Sequence, residues 1–167
     1  MAEAVLALGS NLGDRAANLQ SAIAELAASG FQLERKSSVW ETPPYPPGQP
    51  PFLNAVVTGE ISLSPEELLA AAKTIETRVG RTPTYRWGPR VIDIDILFYG
   101  KLKFDAPDLV IPHPLIAERA FVLVPLAEVI RGPLPVLDRT ADELLATLDR
   151  TGIKLTPHSL TGGQTQG

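Results

Sequence analysis

An α+β fold, with a ferredoxin-like βαββαβ core, an antiparallel sheet and additional C-terminal helices, is predicted by three features of this chain. Apolar residues recur with strand and helix periods in the order strand, helix, strand, strand, helix, strand. The second helix carries its own start and stop residues, Ser64-Pro65 and Gly80. The last strand of the core alternates strictly, so that Asp93 and Asp95 share one face while isoleucines fill the other.

Taken in order, Val5 to Leu8 is a short apolar run and reads as a buried first strand, with Gly9-Ser10-Asn11-Leu12-Gly13-Asp14 as a tight turn into a helix. Leu19, Ile23, Leu26 and Ala27 recur at helical spacing, and Gly30 is placed as a C-terminal cap. Phe31 to Glu41 and Phe52 to Ile61 hold the β-branched and aromatic residues expected of strands. The proline-rich stretch from Pro43 to Pro51 between them is a stiff loop of restricted dihedrals. In the second helix Ser64 and Glu67 form a capping box, Pro65 suits the first position, and Leu68, Ala72, Ile75 and Val79 line one face. Val91 to Tyr99 is the fourth core strand. Beyond Gly100, Leu109 to Ile111 suggests a short strand, Glu118 to Ile130 an apolar helix interrupted by Pro125, and Thr140 with Glu143 the cap of a helix near Ala141 to Leu148. Residues 1–160 are expected to form one domain, with 161–167 a disordered tail.

Composition narrows the chemistry. The chain has 167 residues, no cysteine and only two histidines, so a metal would be held by oxygen or by His113 or His158, which points to magnesium, manganese or calcium. A net charge of -4 gives no global reason to bind nucleic acid, and no apolar run approaches the roughly 18 to 20 residues of a membrane helix. A soluble, cytoplasmic monomer acting on small molecules is expected.

Asp93 and Asp95 lie one strand period apart, about 6.5 to 7 Å between Cα atoms, which suits one or two hard cations. An isolated Asp-x-Asp is as often a wet strand face. Arg86 and Arg90, flanking a Trp-Gly-Pro turn directly upstream, add the fixed positive charge that a polyphosphate needs and favour the metal reading. Arg81 and Glu76 lie close by in sequence, although a solvated charge and a surface glutamate explain them equally well. His113 is mounted rigidly between two prolines, yet a structural histidine would look the same. Phe52 and Phe121 read most simply as core, and Asn54, two residues after Phe52, suits either recognition of a flat heterocycle or a loop hydrogen bond.

Together these segments resemble the 6-hydroxymethyl-7,8-dihydropterin pyrophosphokinase family. The resemblance covers most of the chain: Leu8-Gly9-Ser10-Asn11-Leu12-Gly13, Glu41-Thr42-Pro43-Pro44, Phe52-Leu53-Asn54-Ala55, Ile75-Glu76 with Gly80-Arg81, the run Arg86 to Ile96, Ile111-Pro112-His113-Pro114, and Glu118 to Leu123. It implies transfer of pyrophosphate from ATP to a pterin alcohol, with AMP released. Two magnesium ions are then expected on Asp93 and Asp95, with Arg81 and Arg90 stabilising the transferring group. ATP contacts are implied for Lys73, Glu76, Arg86, Trp87, His113 and Arg119, with Trp87 on a loop that closes over the substrates. The pterin would lie between Phe52 and Phe121, read by Asn54 and by backbone groups of Thr42, Pro43 and Tyr45. The chain departs from the family at Thr82-Pro83-Thr84-Tyr85 and at Leu115, where relatives commonly carry a basic residue; fewer cations over the triphosphate imply weaker charge stabilisation or reliance on Arg86.

Other functions fit less of the sequence. A metal-dependent nucleotidyl transferase would release pyrophosphate instead of AMP. An RNA-recognition module would want an aromatic in Val5 to Leu8, and that strand has none. The spacing of Pro44, Pro47 and Pro50 allows a proline-ligand role, on which nothing else in the chain bears.

Overall fold

The computed structural model describes residues 1–44, 46–80 and 91–162. The expected site residues Tyr45, Arg81, Arg86, Trp87 and Arg90 lie outside the described residues.

The first strand, β1 (Ala2–Ser10), is longer than its apolar run suggests, because Gly9 and Ser10 continue the ladder and the turn begins only at Asn11. Asp14 caps α1 (Arg15–Ala28) by accepting from the Ala17 amide, and Gly30 follows its end at φ 97°. Ala22, not Ala27, completes the buried stripe with Leu19, Ile23 and Leu26; a contact at position 27 would lie too far round the helix. The stretch expected as one second strand is divided into β2 (Gln32–Lys36) and β3 (Trp40–Thr42), both paired with β4 (Phe52–Ile61). Between them the Ser37 hydroxyl accepts from the Val56 amide at 2.9 Å, so a side chain replaces one rung of the ladder. The capping box of α2 (Pro65–Gly80) is closed in both directions, Glu67 amide to Ser64 hydroxyl at 3.2 Å and Ser64 amide to Glu67 carboxylate at 2.9 Å.

Strand β5 (Asp93–Tyr99) completes a six-stranded antiparallel sheet in the order β5-β1-β4-β3-β8, with β2 also on β4 and β8 (Lys154–Leu155) at the edge. A hairpin of β6 (Phe104–Ala106) and β7 (Leu109–Ile111) follows β5, and only its second strand is foreseeable from the apolar pattern. Helix α3 (Ala120–Val129) starts after a 3-10 turn at Ile116–Glu118 and runs through Pro125, and α4 (Ala141–Leu145) opens with the expected Thr140–Glu143 box. That last helix is shorter than expected, ending before Leu148.

The sheet is covered on both faces. Leu6 and Leu8 of β1, Ala55 and Val57 of β4 and Ile94 and Ile96 of β5 pack with the buried faces of α1 and α2. The alternate residues Val5, Ala7 and Val56 pack with α3 and α4. A bulge in the β1–β5 register near Leu97 lets Ile96 face one core while Leu97 and Phe98 face the other. Thr161, within the expected tail, is held to α1 by a pair of 2.8 Å hydrogen bonds with the Gln20 side chain, and Leu160 is buried. Among the described residues no helix is long and apolar enough to cross a membrane.

Candidate active site

Helix α3 covers only part of its sheet face. At the N-terminal end of α3 the face opens into a cleft of about 720 Å³. Its floor is β1 at Ala7, Leu8 and Gly9; its walls come from β3 and β4 (Thr42, Pro43, Phe52, Asn54), from β5 (Asp93, Asp95), and from the 113–122 segment.

One end is acidic. Asp93 and Asp95 sit opposite Gly9 and Ala7 in the ladder, so two of the smallest residues face the two carboxylates and leave them room. Both aspartates are half-buried at the edge strand. The outer side of that strand is not left to water: the Ile94 amide, between the two aspartates, donates to the Glu76 carboxylate at 2.8 Å. Glu76 therefore fixes the backbone that carries the pair. Among the described residues no group of three or more His, Asp or Glu is arranged to enclose a metal, so a cation here would take part of its coordination from substrate and water.

The 113–122 segment adds the cationic wall. The His113 amide donates to the Leu97 carbonyl at 3.1 Å, tying the segment to β5. Its ring Nδ1 accepts from the Leu115 amide at 3.2 Å, which leaves Nε2 to carry the proton of the neutral ring. Burial pushes the His113 pKa below its ordinary value and Arg119 adds to this, while Asp95 pulls the other way. The Arg119 guanidinium lies 5.6 Å from the centre of the Phe121 ring. Glu118 and the exposed Leu115 complete this rim.

The other end is an aromatic and amide slot. Phe52 and Phe121 line it, from β4 and from the first turn of α3. Asn54 is 9% exposed and Thr42 1%, and the Asn54 Nδ2 donates to the Thr42 hydroxyl, which sets the orientation of the amide. The proline-rich loop behind this slot is pinned at its far end: Arg15 Nη1 donates to the Glu41 carboxylate at 3.0 Å and the Pro51 carbonyl at 2.9 Å, and Asn11 Nδ2 to the Pro50 carbonyl at 3.1 Å.

Of the residues singled out from the sequence, Thr42, Pro43, Phe52, Asn54, Asp93, Asp95, His113, Arg119 and Phe121 meet in this one cleft. Glu76 and Lys73 are not among the residues that line it; Glu76 lies at the open edge of β5, and Lys73 is 70% exposed in its side chain at 3.7 Å from Glu76. Both stand on α2, whose buried residues Leu68, Ala72 and Ile75 pack on the opposite face of the sheet. Ala7, Leu8, Gly9, Glu118 and Val122 line the cleft without having been expected as site residues, and Leu115, noted as a departure from the family, lies on its rim. Strand parity could have found Gly9, since Asn54 and Asp93 share its face once the register is known.

Residues 5–131 match the family model for 7,8-dihydro-6-hydroxymethylpterin-pyrophosphokinase. The chain is similar to a 2-amino-4-hydroxy-6-hydroxymethyldihydropteridine pyrophosphokinase of Methylorubrum extorquens, 46% identical over 156 residues that cover 92% of this chain and 98% of that one. It is also similar to the mitochondrial folate synthesis bifunctional protein of Pisum sativum, 49% identical over 129 residues, covering 77% of this chain but only a quarter (25%) of that longer protein. Among solved structures, an HPPK-DHPS of Plasmodium falciparum superposes with a TM-score of 0.68 at 16% identity, over 86% of this chain and 44% of that one, a likeness of fold alone. The extent of the model match and the near full-length relative make the chain a member of the 7,8-dihydro-6-hydroxymethylpterin-pyrophosphokinase family.

Proposed function

We propose that this chain transfers the terminal diphosphate of ATP to 6-hydroxymethyl-7,8-dihydropterin, giving the pterin diphosphate and AMP in folate biosynthesis, and that it does so with Mg²⁺. The observation that carries the reading is the pairing, in one cleft, of an open carboxylate pair with a slot of two aromatic rings and a buried, oriented amide. A bicyclic lactam needs the second, and a polyphosphate the divalent cation that the first would hold.

The donor set fits magnesium. Hard oxygen ligands, one or two carboxylates and open positions for phosphate oxygens and water are what that ion takes in phosphoryl-transfer sites. Asp93 and Asp95 would hold two ions. When bound, they would neutralise phosphate charge and bring the phosphate and the attacking hydroxyl together.

The protein's own work is then placement. Phe52 and Phe121 stack the pterin and Asn54 reads its edge, with backbone groups of Thr42 and Pro43 beside it, which the sequence resemblance extends to Tyr45. Neutral His113 offers its Nε2–H to a phosphate oxygen, and Arg119 contributes the fixed charge of that wall. Arg81 and Arg90 are proposed to stabilise the transferring group and Arg86 and Trp87 to contact ATP, on the strength of the sequence resemblance. Lys73 is proposed to meet ATP only at the outer margin, and Glu76 to act through β5. In the step itself the hydroxymethyl oxygen attacks the β-phosphorus in line, the bond from that phosphorus to the bridging oxygen of the α-phosphate breaks, AMP leaves with that oxygen, and the hydroxyl proton goes to solvent or phosphate. No covalent protein intermediate is needed.

The chain is proposed to act alone, as a cytoplasmic monomer; a sedimentation mass of twice 17.9 kDa would correct that. The reaction is tested by incubating the protein with ATP, Mg²⁺ and the pterin alcohol and resolving the nucleotides: stoichiometric AMP supports it, whereas ADP or free pyrophosphate contradicts it.

A further inference from the structure

The position of Gly9 is not explained by backbone conformation. It lies inside β1, paired on both sides, and it has no positive φ that would exclude other residues. Glycine in a strand interior weakens the strand and marks a place where something approaches the backbone closely. Here two side chains do. A Cβ at Gly9 would stand 2.7 Å from the Asn54 Oδ1 and 3.5 Å from the Phe52 Cδ1. The first is closer than a carbon and an amide oxygen tolerate, and the amide has little freedom to retreat, because it is buried and its nitrogen is committed to the Thr42 hydroxyl.

Gly9 also stands between the two halves of the site. Asn54, Gly9 and Asp93 are in register across three adjacent strands, so the recognising amide and the first carboxylate are two strand spacings apart, about 10 Å, with only the Gly9 backbone between them. A flat ring whose edge meets Asn54, and whose alcohol arm reaches the carboxylates, must cross this point.

We propose that Gly9 is the specificity-determining residue of the cleft: its missing side chain is the notch that seats the Asn54 amide and lets a flat bicyclic heterocycle with a one-carbon alcohol arm lie on the β1 backbone between Asn54 and Asp93. The inference rests on the pterin reading above and adds a residue and a ring-to-arm path to it. A side chain at this point both turns the amide and raises the floor under the ring. ATP, held by the cationic wall and the carboxylates, does not cross the notch.

Gly9→Ala in the full chain should raise the KM for the pterin alcohol, and the Kd for the fluorescent oxidised 6-hydroxymethylpterin, at least tenfold. The KM for ATP should stay within twofold. A folded Gly9→Ala with pterin binding unchanged, or with both substrates weakened equally, overturns the proposal. Should that variant fail to fold, the wild type decides by NMR: adding 6-hydroxymethylpterin should shift the Gly9 α-proton resonances by ring current. Shifts at the Asn54 side-chain amide with Gly9 unmoved sink this inference and leave the pterin reading standing; no response anywhere in the cleft ends both.

Discussion

Glu76 separates two accounts of the same residue. The resemblance of sequence implies a contact with ATP, and its carboxylate accepts the Ile94 amide at 2.8 Å at the open edge of β5, outside the residues that line the cleft. Ile94 is 4% exposed and the Glu76 side chain 20%, so truncation leaves a largely buried amide without this partner. A hydrogen bond to a charged group contributes roughly 1.5 to 3 kcal/mol, and about 2 kcal/mol is expected for Glu76→Ala. For a chain of this length that is a fall in thermal midpoint of roughly 4 to 8 °C. Glu76→Gln keeps an acceptor oxygen in the same place and should lose less than half as much. Because the amide sits between Asp93 and Asp95, Glu76→Ala should also lower kcat while the KM for ATP changes little. Chemical denaturation gives the first quantity and steady-state kinetics the second. An unchanged stability in both variants together with a large rise in ATP KM would refute the positioning role and restore direct nucleotide contact.

Burial lowers the His113 pKa in the folded chain, so over the range below its ordinary value near 6.5 the unfolded chain takes up the proton first. The stability contributed by keeping the ring neutral is therefore complete above about pH 6.5 and is lost as pH falls through the lowered folded value; denaturation midpoints of wild type should drop between pH 7.5 and 5.5 more than those of His113→Gln. Phe121→Ala removes one stacking surface and the ring beneath Arg119, and should raise the pterin KM about 2- to 12-fold by the 0.5 to 1.5 kcal/mol of an aromatic pair, read in the same kinetics. The Glu128 carboxylate accepts from the Ser38 amide and hydroxyl and from the Trp40 indole, joining the end of α3 to β3. Glu128→Ala and Trp40→Phe should each lose roughly 1 kcal/mol of stability, and in the double variant less than the sum, as a double-mutant cycle in urea would show.

Much of this architecture could be read from local chemistry. The bounds of β4 coincide with the run Phe52 to Ile61 because prolines close it on one side and Ser64-Pro65 opens a helix on the other. Both capping boxes are legible for the same reason: each is a local exchange between side chain and backbone across three residues. What required the fold was register. The division of β2 from β3 depends on the Ser37 hydroxyl reaching Val56, and the bulge at Leu97 on pairing with β1, neither of which leaves a periodic signal. The hairpin strand Phe104–Ala106 is three residues long with an aspartate at its centre, too short for alternation to register.

The site divides along the same line. Asp93 and Asp95 announce themselves because one strand carries both, and His113 because two prolines hold it. Gly9 does not, since a glycine before Ser-Asn reads as a turn until the ladder shows it opposite Asn54 and Asp93. For Glu76 the resemblance implies a contact with ATP and the residue pattern alone allows a surface glutamate; its bond to the Ile94 amide leaves no signal in the sequence.

The carboxylate pair and the aromatic slot are proposed to serve one transfer of diphosphate. Phosphorus NMR of wild type with ATP, Mg²⁺ and 6-hydroxymethyl-7,8-dihydropterin, run beside Asp95→Ala, tests it most directly. Wild type is expected to give AMP and a pterin diphosphate in equal amounts, and the variant neither while its thermal midpoint is retained. Equal turnover by the variant, or ADP in place of AMP, would contradict it.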